Sequence, residues 1–282
     1  MLGILVVNEY LTSKKFNDFY DFLVSTFNKE EINLKLITNA KYNDDKCDFC
    51  IFWDKDINLA RYIENKGIRV YNKPDVIKIC DNKIETQLIL ENKGVKMPKM
   101  LLAPFTYENV GYTNYDYLVK VKKEFRYPFI IKQAYGSFGE QVYLVNNDEE
   151  LINIVKLIGS KPFLFHEYID YRFGEDLRVF TVGRKIVGAV RRVGEKGNFK
   201  ANVTLGGKML QYTLSKEDED IVYNVIDTLN LDFGGIDLLF SEKGLLVNEV
   251  NSNAHFLNFY KATNINVGID IVKYVKKGGV IC

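Results

Sequence analysis

The chain has 282 residues, of which 47% are hydrophobic and 27% are charged, and 38 basic against 37 acidic side chains leave a formal net charge of +1. At about 150 residues per domain, this is enough chain for roughly two domains with a core that needs no disulfide or structural metal. The composition excludes a disordered chain and a coiled-coil rod. The basic residues are dispersed along the sequence, which argues against a nucleic-acid partner.

We expect neither a membrane-spanning helix nor a secretory signal from this sequence. The longest purely apolar runs, such as 129–131 and 245–247, are a few residues long, whereas a bilayer-spanning helix needs about 20. Residues 1–7 have no basic stretch of the kind that opens a secretory signal. We therefore expect a cytoplasmic protein without a membrane partner.

The four cysteines are Cys47, Cys50, Cys80 and Cys282. The first two form a C-x-x-C pair, which occurs in redox and zinc sites, but a zinc site needs about four ligands and this chain has no second pair. Cys50 lies inside an apolar, strand-like run, 49–53. We therefore expect it to behave as a small buried hydrophobe.

In chain order, the first eighty residues alternate apolar runs with amphipathic stretches, which predicts an α/β unit with a mostly parallel sheet. After the first run come Asn8, Glu9 and Tyr10 instead of a G-x-G-x-x-G turn, which disfavours a dinucleotide site. A docking or substrate-side role is the simpler interpretation. The alternating apolar runs and amphipathic stretches of this unit are 4–7, 16–27, 34–37, 50–53, 59–65 and 69–71.

Beyond Lys73-Pro74, which closes this unit, residues 81–93 are predicted to form a helix that ends at Gly94. A smaller α/β or antiparallel lobe follows to about residue 165, with a strand at 128–132 and a glycine-flanked turn at 136–139 that could cover a ligand. The last third is predicted to contain four strands and two helices. The strands are 177–182, 185–190, 235–240 and 245–250, and the helices are 216–229 and 267–276.

The late segment 233–251 has the pattern of a β-hairpin. If residues 242–244 form a three-residue turn, Asp237 pairs directly with Glu249, and Asn251 shares their face of the sheet. Two carboxylates and an amide oxygen on one patch favour a cation between them, and this oxygen-only set suits Mg²⁺. The alternative is a solvated hairpin face with incidental acidic residues.

Two lysines are candidates for binding phosphate. Lys132 ends an apolar strand, where a buried ammonium needs a partner, and the following turn could offer backbone N–H groups to phosphate oxygens; a surface lysine at a strand end is the alternative. Lys83 lies in the first turn of its predicted helix, where a cation opposes the helix dipole. Either Asp81 or a nucleotide phosphate would compensate that charge.

Taken in order, these segments resemble the ATP-grasp superfamily, and specifically its RimK/LysX-like branch of carboxylate–amine ligases, over nearly all of 70–282. The motifs that carry the resemblance are Asp-Asn-Lys83-x-x-Thr86, Pro-Phe-Ile-Ile-Lys132 with Gly-Ser-Phe-Gly, His-Glu167-Tyr168-Ile, Gly-Glu-Asp176-Leu-Arg178-Val, Val-Gly-Ala-Val-Arg191-Arg192, Asn198-Phe-Lys200-Ala-Asn202, Gly-Ile-Asp237 and Asn-Glu249-Val-Asn251.

The resemblance implies an α/β (α+β) chain with an N-terminal pre-ATP-grasp domain (1–80), a central lid subdomain (81–166) and a C-terminal subdomain with the metal site (167–282). It implies that the cofactors are ATP and Mg²⁺, with Mn²⁺ as an alternative metal. The implied nucleotide contacts are Lys83 and Lys132 on phosphates, the backbone at Glu167 and Tyr168 on adenine, Asp176 on the ribose side, and Lys200 and Asn202. The implied metal ligands are Asp237, Glu249 and Asn251, and the implied catalytic cations are Lys132 and either Arg191 or Arg192.

The implied reaction joins a carboxylate to an amine through an acyl phosphate, on small-molecule or peptide substrates such as an amino acid or a peptide end. The alternative function is a non-catalytic nucleotide-binding module of the same fold. The sequence does not decide whether the protein forms a homo-oligomer. The sequence departs from the family in two places. After the glycine-flanked turn, Gln141 stands where the family usually has a glycine, which predicts a stiffer turn. Beside the family's acceptor pocket, Ser252 to Phe256 stand where many members have a Ser-Pro-Gly stretch. His255 is either a substrate contact or a packed histidine.

Overall fold

The computed structural model describes residues 1–136, 139–195 and 207–279. The first sheet is parallel, as predicted, with the strand order β2-β1-β3-β4. Residues 4–7 of β1 are buried on both faces because separate hydrophobic clusters cover the two sides of this sheet. Its strands are β1 (Leu2–Val7), β2 (Asn33–Thr38), β3 (Phe49–Phe52) and β4 (Arg69–Tyr71), and its helices are α1 (Lys14–Lys29) and α2 (Ile57–Asn65).

Cys50 is buried on β3 and Cys47 is partly buried, and both are free thiols. Burial raises the pKa of both thiols, so they stay protonated at neutral pH. The expected role of Cys50 as a buried apolar side chain is confirmed. Cys282 lies outside the described residues.

The segment after Lys73 is helical, which the sequence analysis missed. Helix α3 (Pro74–Asp81) begins at the proline, and α4 (Lys83–Asn92) follows directly. Asn82 separates them and caps α4 by accepting hydrogen bonds from the backbone N–H groups of Ile84 and Glu85. The predicted helix therefore starts two residues later than expected, and it ends before Gly94 as expected.

The second sheet is antiparallel, with the order β5-β8-β6-β7. The predicted strand at 128–132 is β6, and its last residues lead to the glycine-flanked turn. The strands are β5 (Met100–Leu102), β6 (Phe129–Gln133), β7 (Val142–Val145) and β8 (Phe163–His166), and the helices are α5 (Leu118–Glu124) and α6 (Asp148–Ile158).

The third sheet is antiparallel, with the order β11-β10-β9-β12-β13. All four predicted strands and both predicted helices of this region are present, while β11 and α8 were not predicted. The strands are β9 (Glu175–Val182), β10 (Lys185–Val193), β11 (Lys208–Tyr212), β12 (Phe233–Ser241) and β13 (Gly244–Asn251), and the helices are α7 (Lys216–Leu229), α8 (Leu257–Thr263) and α9 (Val267–Lys276).

The hairpin of β12 and β13 differs from its prediction in the turn. Ser241 pairs with Gly244, so the turn has two residues, and the extra residue is Asn248, which forms a β-bulge between the pairs Leu238–Val247 and Asp237–Glu249. The three-residue turn was therefore wrong. The pairing of Asp237 with Glu249 is nevertheless confirmed, because a bulge shifts the register by the same one residue as a longer turn.

The first and third sheets are joined through Asn72, at the end of β4. Its side chain donates to the carbonyls of Phe233 and Ser252 at 2.8 Å each and accepts from the N–H of Asp232 at 2.8 Å. Each of the three predicted domain ranges contains one sheet, but the largest core cluster combines residues from the first and the last range. No helix in the described part of the chain is long and apolar enough to cross a bilayer.

Candidate active site

A cleft of about 500 Å³ opens where the three sheets meet. Strands β6 and β8 line one wall, β9, β10, β12 and β13 line another, and α1 with the end of β3 closes the far side. We call this space the central cleft. Eight of the residues expected in a site line it together: Lys132, Glu167, Tyr168, Asp176, Arg192, Asp237, Glu249 and Asn251.

The three expected metal ligands lie along neighbouring strands on the floor of this cleft. Asp237 on β12 pairs with Glu249 on β13, and Asn251 pairs with Gly235. A Cβ at Gly235 would lie 2.7 Å from that of Ala254, so glycine is required for the chain to pass there. Two carboxylates and an amide oxygen are hard ligands that fit Mg²⁺. Within the described residues, no group of three or more His, Cys, Asp or Glu side chains could hold a metal ion by themselves.

Asp237 is 4% exposed and is held by two arginines. Arg178 donates to both carboxylate oxygens at 2.6 Å, and Arg192 donates to one of them at 3.0 Å. Burial acts to raise the pKa of Asp237, but the two guanidinium groups outweigh it and leave the pKa lowered. A cation at this carboxylate would therefore exchange with an arginine.

Arg192 also forms a bidentate pair with Asp176, with two bonds of 2.6 Å. Burial raises the pKa of Asp176, opposed by Arg192. The neighbouring Arg191 is on the opposite face of β10, with its guanidinium 3.8 Å from Glu175, and it does not line the cleft. The structure thus separates the two arginines that the sequence could not distinguish.

Lys132 is the penultimate residue of β6 and reaches across the cleft to β13. Its side chain is 7% exposed, and its ammonium donates to the side-chain oxygen of Asn248 at 2.7 Å. Burial lowers the pKa of Lys132 to about 8, with Lys83 adding to the effect and Glu249 opposing it. The bulge at Asn248 is what points this amide at the lysine.

Lys83, which was expected to contact a nucleotide phosphate, is not among the residues that line the cleft. Its ammonium donates to the carbonyl of Gly136 at 2.9 Å and is 3.9 Å from Glu249. Gly136 has φ +142°, and the side chain of Gln141 packs so closely against it that a Cβ would lie 2.3 Å from the amide oxygen. Gln141, which stands where the family usually has a glycine, therefore packs against the same turn that Lys83 contacts through the carbonyl of Gly136.

The end of β8 forms the wall beside Lys132, with His166, Glu167 and Tyr168 lining the cleft. The N–H of Glu167 donates to the carbonyl of Lys99 at 2.8 Å. A nucleobase at this strand end would have to use other backbone groups of residues 167–169. His166 is fully buried, and burial holds its pKa well below the usual value, so it is neutral.

Two residues of the site were missed as candidates, Arg178 and Asn248. Arg178 stood within a quoted motif, but only the strand pairing shows it opposite Asp237. His255 lines the cleft and is also packed, with its ring stacked on Phe19 at 4.2 Å, and burial lowers its pKa to about 4. Lys200 and Asn202, with 198 and 206, lie outside the described residues, as do Ser137 and Phe138.

Comparisons with known proteins agree with this arrangement. Human N-acetylaspartylglutamate synthase A is 33% identical over 78% of this chain and 56% of its own length, and human beta-citrylglutamate synthase B is 32% identical over the same shares. The chain thus spans about half the length of these relatives. The crystal structure of the RimK domain ATP-grasp protein from Sphaerobacter thermophilus DSM 20745 matches with a TM-score of 0.75 at 15% identity, over 97% of this chain and 99% of that one.

That likeness at low identity establishes an ATP-grasp fold, as the sequence predicted. The model of the RimK-like ATP-grasp domain matches residues 80–275, which contain the second and third sheets and every candidate nucleotide and metal residue. The chain belongs to the RimK-like ATP-grasp family.

Proposed function

We propose that this protein is an ATP-dependent ligase that joins a carboxylate to an amine through an acyl phosphate. The observation that carries the proposal is the meeting of Lys132 from the second sheet with the Asp237–Glu249 pair of the third, around one cleft. Phosphoryl transfer needs cations and metal ligands in position and no protein nucleophile. This cleft offers that set.

The phosphate end of ATP is assigned to Lys132 and Lys83. Lys132 has a depressed pKa because it is buried, and a triphosphate would supply the negative charge that favours its ammonium form. Lys83 braces the glycine-flanked turn through the Gly136 carbonyl. We assign adenine to the backbone near Tyr168 and include Lys200 and Asn202 among the nucleotide contacts by family resemblance.

Asp237, Glu249 and Asn251 would hold Mg²⁺, which when bound neutralises charge on the transferring phosphoryl group. Glu249 lies 3.9 Å from Lys83 and also interacts with the charge of Lys132, but among the described residues it makes no ion pair shorter than 3.9 Å, so its carboxylate can accept a cation without first losing a close ion pair. Asp237 would exchange Arg178 or Arg192 for it. Each arginine so released stays within the cleft, where it can bind the substrate carboxylate or the acyl phosphate.

Of the two neighbouring arginines, we assign the catalytic role to Arg192. It lines the cleft between Asp176 and Asp237, where a guanidinium can stabilise the negative charge of the acyl phosphate. The bidentate bond from Arg192 supports a positioning role for Asp176 in addition to the ribose contact that the resemblance implies. The amine would then displace phosphate and leave an amide.

The names of both human relatives contain glutamate as a component of the product. We therefore propose L-glutamate as the first amine to supply, with a panel of small carboxylates and peptide ends as its partners. The substrates of this chain are amino acids or peptides on this proposal. Each carboxylate of the panel should therefore be tested together with glutamate.

The proposal is tested by supplying the full chain with ATP, Mg²⁺, glutamate and the carboxylate panel. ADP and phosphate should form only when both substrates are present, together with an amide seen by mass spectrometry. The doubly substituted variant Asp237→Asn, Glu249→Gln should lose this turnover. Nucleotide affinity without turnover against the whole panel would instead establish a binding module, and turnover surviving the double substitution would refute the metal assignment.

A further inference from the structure

One side of the cleft is built from α1 and from the residues that follow β3, which the family match does not include. Three neighbouring side chains there, Tyr20, Trp53 and Asp54, are each at least 96% buried and line the cleft. Within the described part of the chain, the Tyr20 hydroxyl, the Trp53 indole nitrogen and one Asp54 carboxylate oxygen have no hydrogen-bond partner. Buried polar atoms in this condition are costly unless a ligand satisfies them.

Asp54 is the residue that most needs a partner. Asn8 donates to one oxygen at 3.1 Å, the backbone N–H of Lys55 is close enough to lower the pKa of the carboxyl, and the other oxygen has no partner with hydrogen-bond geometry. The neighbouring ammonium of Lys55 is bonded to Asp81 at 2.6 Å. Burial raises the pKa of Asp54, and burial together with the Asp54 charge raises the pKa of Tyr20 to about 12.

We propose that Asp54 is the subsite for the ammonium group of the amine substrate, a role that rests on the ligase function proposed above. A single carboxylate oxygen among aromatic rings offers too few ligands for a divalent cation. An ammonium group brings a full positive charge and three donors, one of which can bond to the hydroxyl of Tyr20. The rings of Tyr20 and Trp53 supply the walls that such a cation prefers.

A second charged residue of the cleft, Lys15, makes the subsite suitable for amino acids, which carry a carboxylate as well as an ammonium group. Lys15 lines the cleft one residue before Phe16, and its charge contributes to the lowered pKa of His255. The ring of His255 lies 6.2 Å from that of Tyr20 and 6.4 Å from that of Trp53. Lys15 thus places a positive charge in the same cleft as Asp54, where it would attract the carboxylate of an amino-acid substrate.

Binding measurements on the full chain test this subsite independently of turnover. L-glutamate and glutarate, which lacks the amino group, are titrated calorimetrically in the presence of Mg²⁺ and a non-hydrolysable ATP analogue. The wild-type protein should bind glutamate at least tenfold more tightly than glutarate. Asp54→Asn should reduce this preference below twofold, and Tyr20→Phe should reduce it by a few fold.

Asp21→Asn is the matched control, because it removes the same charge from the exposed face of α1, one residue from Tyr20, and lies outside the cleft lining. It should keep the full preference, and all variants should bind the ATP analogue equally, which also reports that they are folded. Preference surviving in Asp54→Asn, or no preference in the wild type, would overturn the subsite. Loss of preference without amide formation would support the subsite and count against the ligase function alone.

Discussion

The ammonium of Lys132 donates to the side-chain oxygen of Asn248 at 2.7 Å and so joins the second sheet to the third across the central cleft. This bond exists because a β-bulge adds Asn248 to β13 beside Glu249. It holds a buried cation next to the proposed metal ligands. The strength of nucleotide binding should therefore depend on the charge of this one lysine.

The pH dependence of nucleotide affinity follows from the pKa of Lys132, which is about 8. The ammonium is charged below that pH and becomes neutral above it, and ADP binding favours the charged form. We expect the affinity for ADP to fall as pH rises through 8, by at most about tenfold per pH unit. Calorimetry between pH 6.5 and 9.5 measures the affinity for ADP. The variant Lys132→Met should bind ADP weakly at every pH. If the affinity of this variant fell with pH in parallel with that of the wild type, Lys132 would not be the group responsible.

Replacing Asn248 changes the environment of Lys132 without removing it. In Asn248→Ala the ammonium loses its partner, so the drop in ADP affinity should move to lower pH. In Asn248→Asp a carboxylate faces the ammonium, so the drop should move to higher pH. The same titration measures both shifts, and a midpoint that stays fixed in both variants would show that the bond to Asn248 does not tune the lysine.

Asp237 should contribute to stability as well as to metal binding. Asp237→Asn leaves Arg178 without its buried counter-charge, and breaking a buried ion pair in this way costs about 3–5 kcal/mol. Glu249→Gln should cost less than about 1 kcal/mol, because its ion pair with Lys83 is long, at 3.9 Å, and its carboxylate is partly exposed. Urea unfolding without nucleotide or metal measures the difference, and equal losses would argue against the Arg178–Asp237 pair.

The two neighbouring arginines should differ in their effect on turnover. Arg192→Met removes a guanidinium that lines the cleft, and we expect kcat/KM to fall about 100-fold or more. Arg191→Met removes a partly exposed side chain on the other face of β10, and we expect a change within about threefold. Steady-state kinetics decides between them, and the reverse order would exchange their roles.

Some of the site could be predicted from sequence because a polar side chain within an apolar strand needs a hydrogen-bond partner, a counter-charge or a ligand that compensates its burial. Asp237 and Glu249 were placed opposite each other correctly although the turn was wrong, since a two-residue turn with a bulge gives the same register as a three-residue turn. The bulge itself was hidden, because no residue type marks it. Asn248 therefore had no visible role.

Other features depend on contacts that sequence does not display. Helix α3 was missed because Lys73-Pro74 was taken as a boundary, whereas proline is favoured at the first helical position. Arg178 became part of the site only through the pairing of β9 with β12. The unpaired oxygen of Asp54 reflects a cleft formed by distant segments, so no local pattern could reveal it.

The formation of an acyl phosphate is tested most directly by isotope transfer. The carboxylate substrate identified in the panel is labelled with ¹⁸O and incubated with the protein, ATP, Mg²⁺ and the amine, and the released phosphate is analysed by mass spectrometry. One ¹⁸O atom should appear in phosphate for each amide formed, with ADP as the other product. Amide formation without label in phosphate, or with AMP and pyrophosphate as products, would contradict the account.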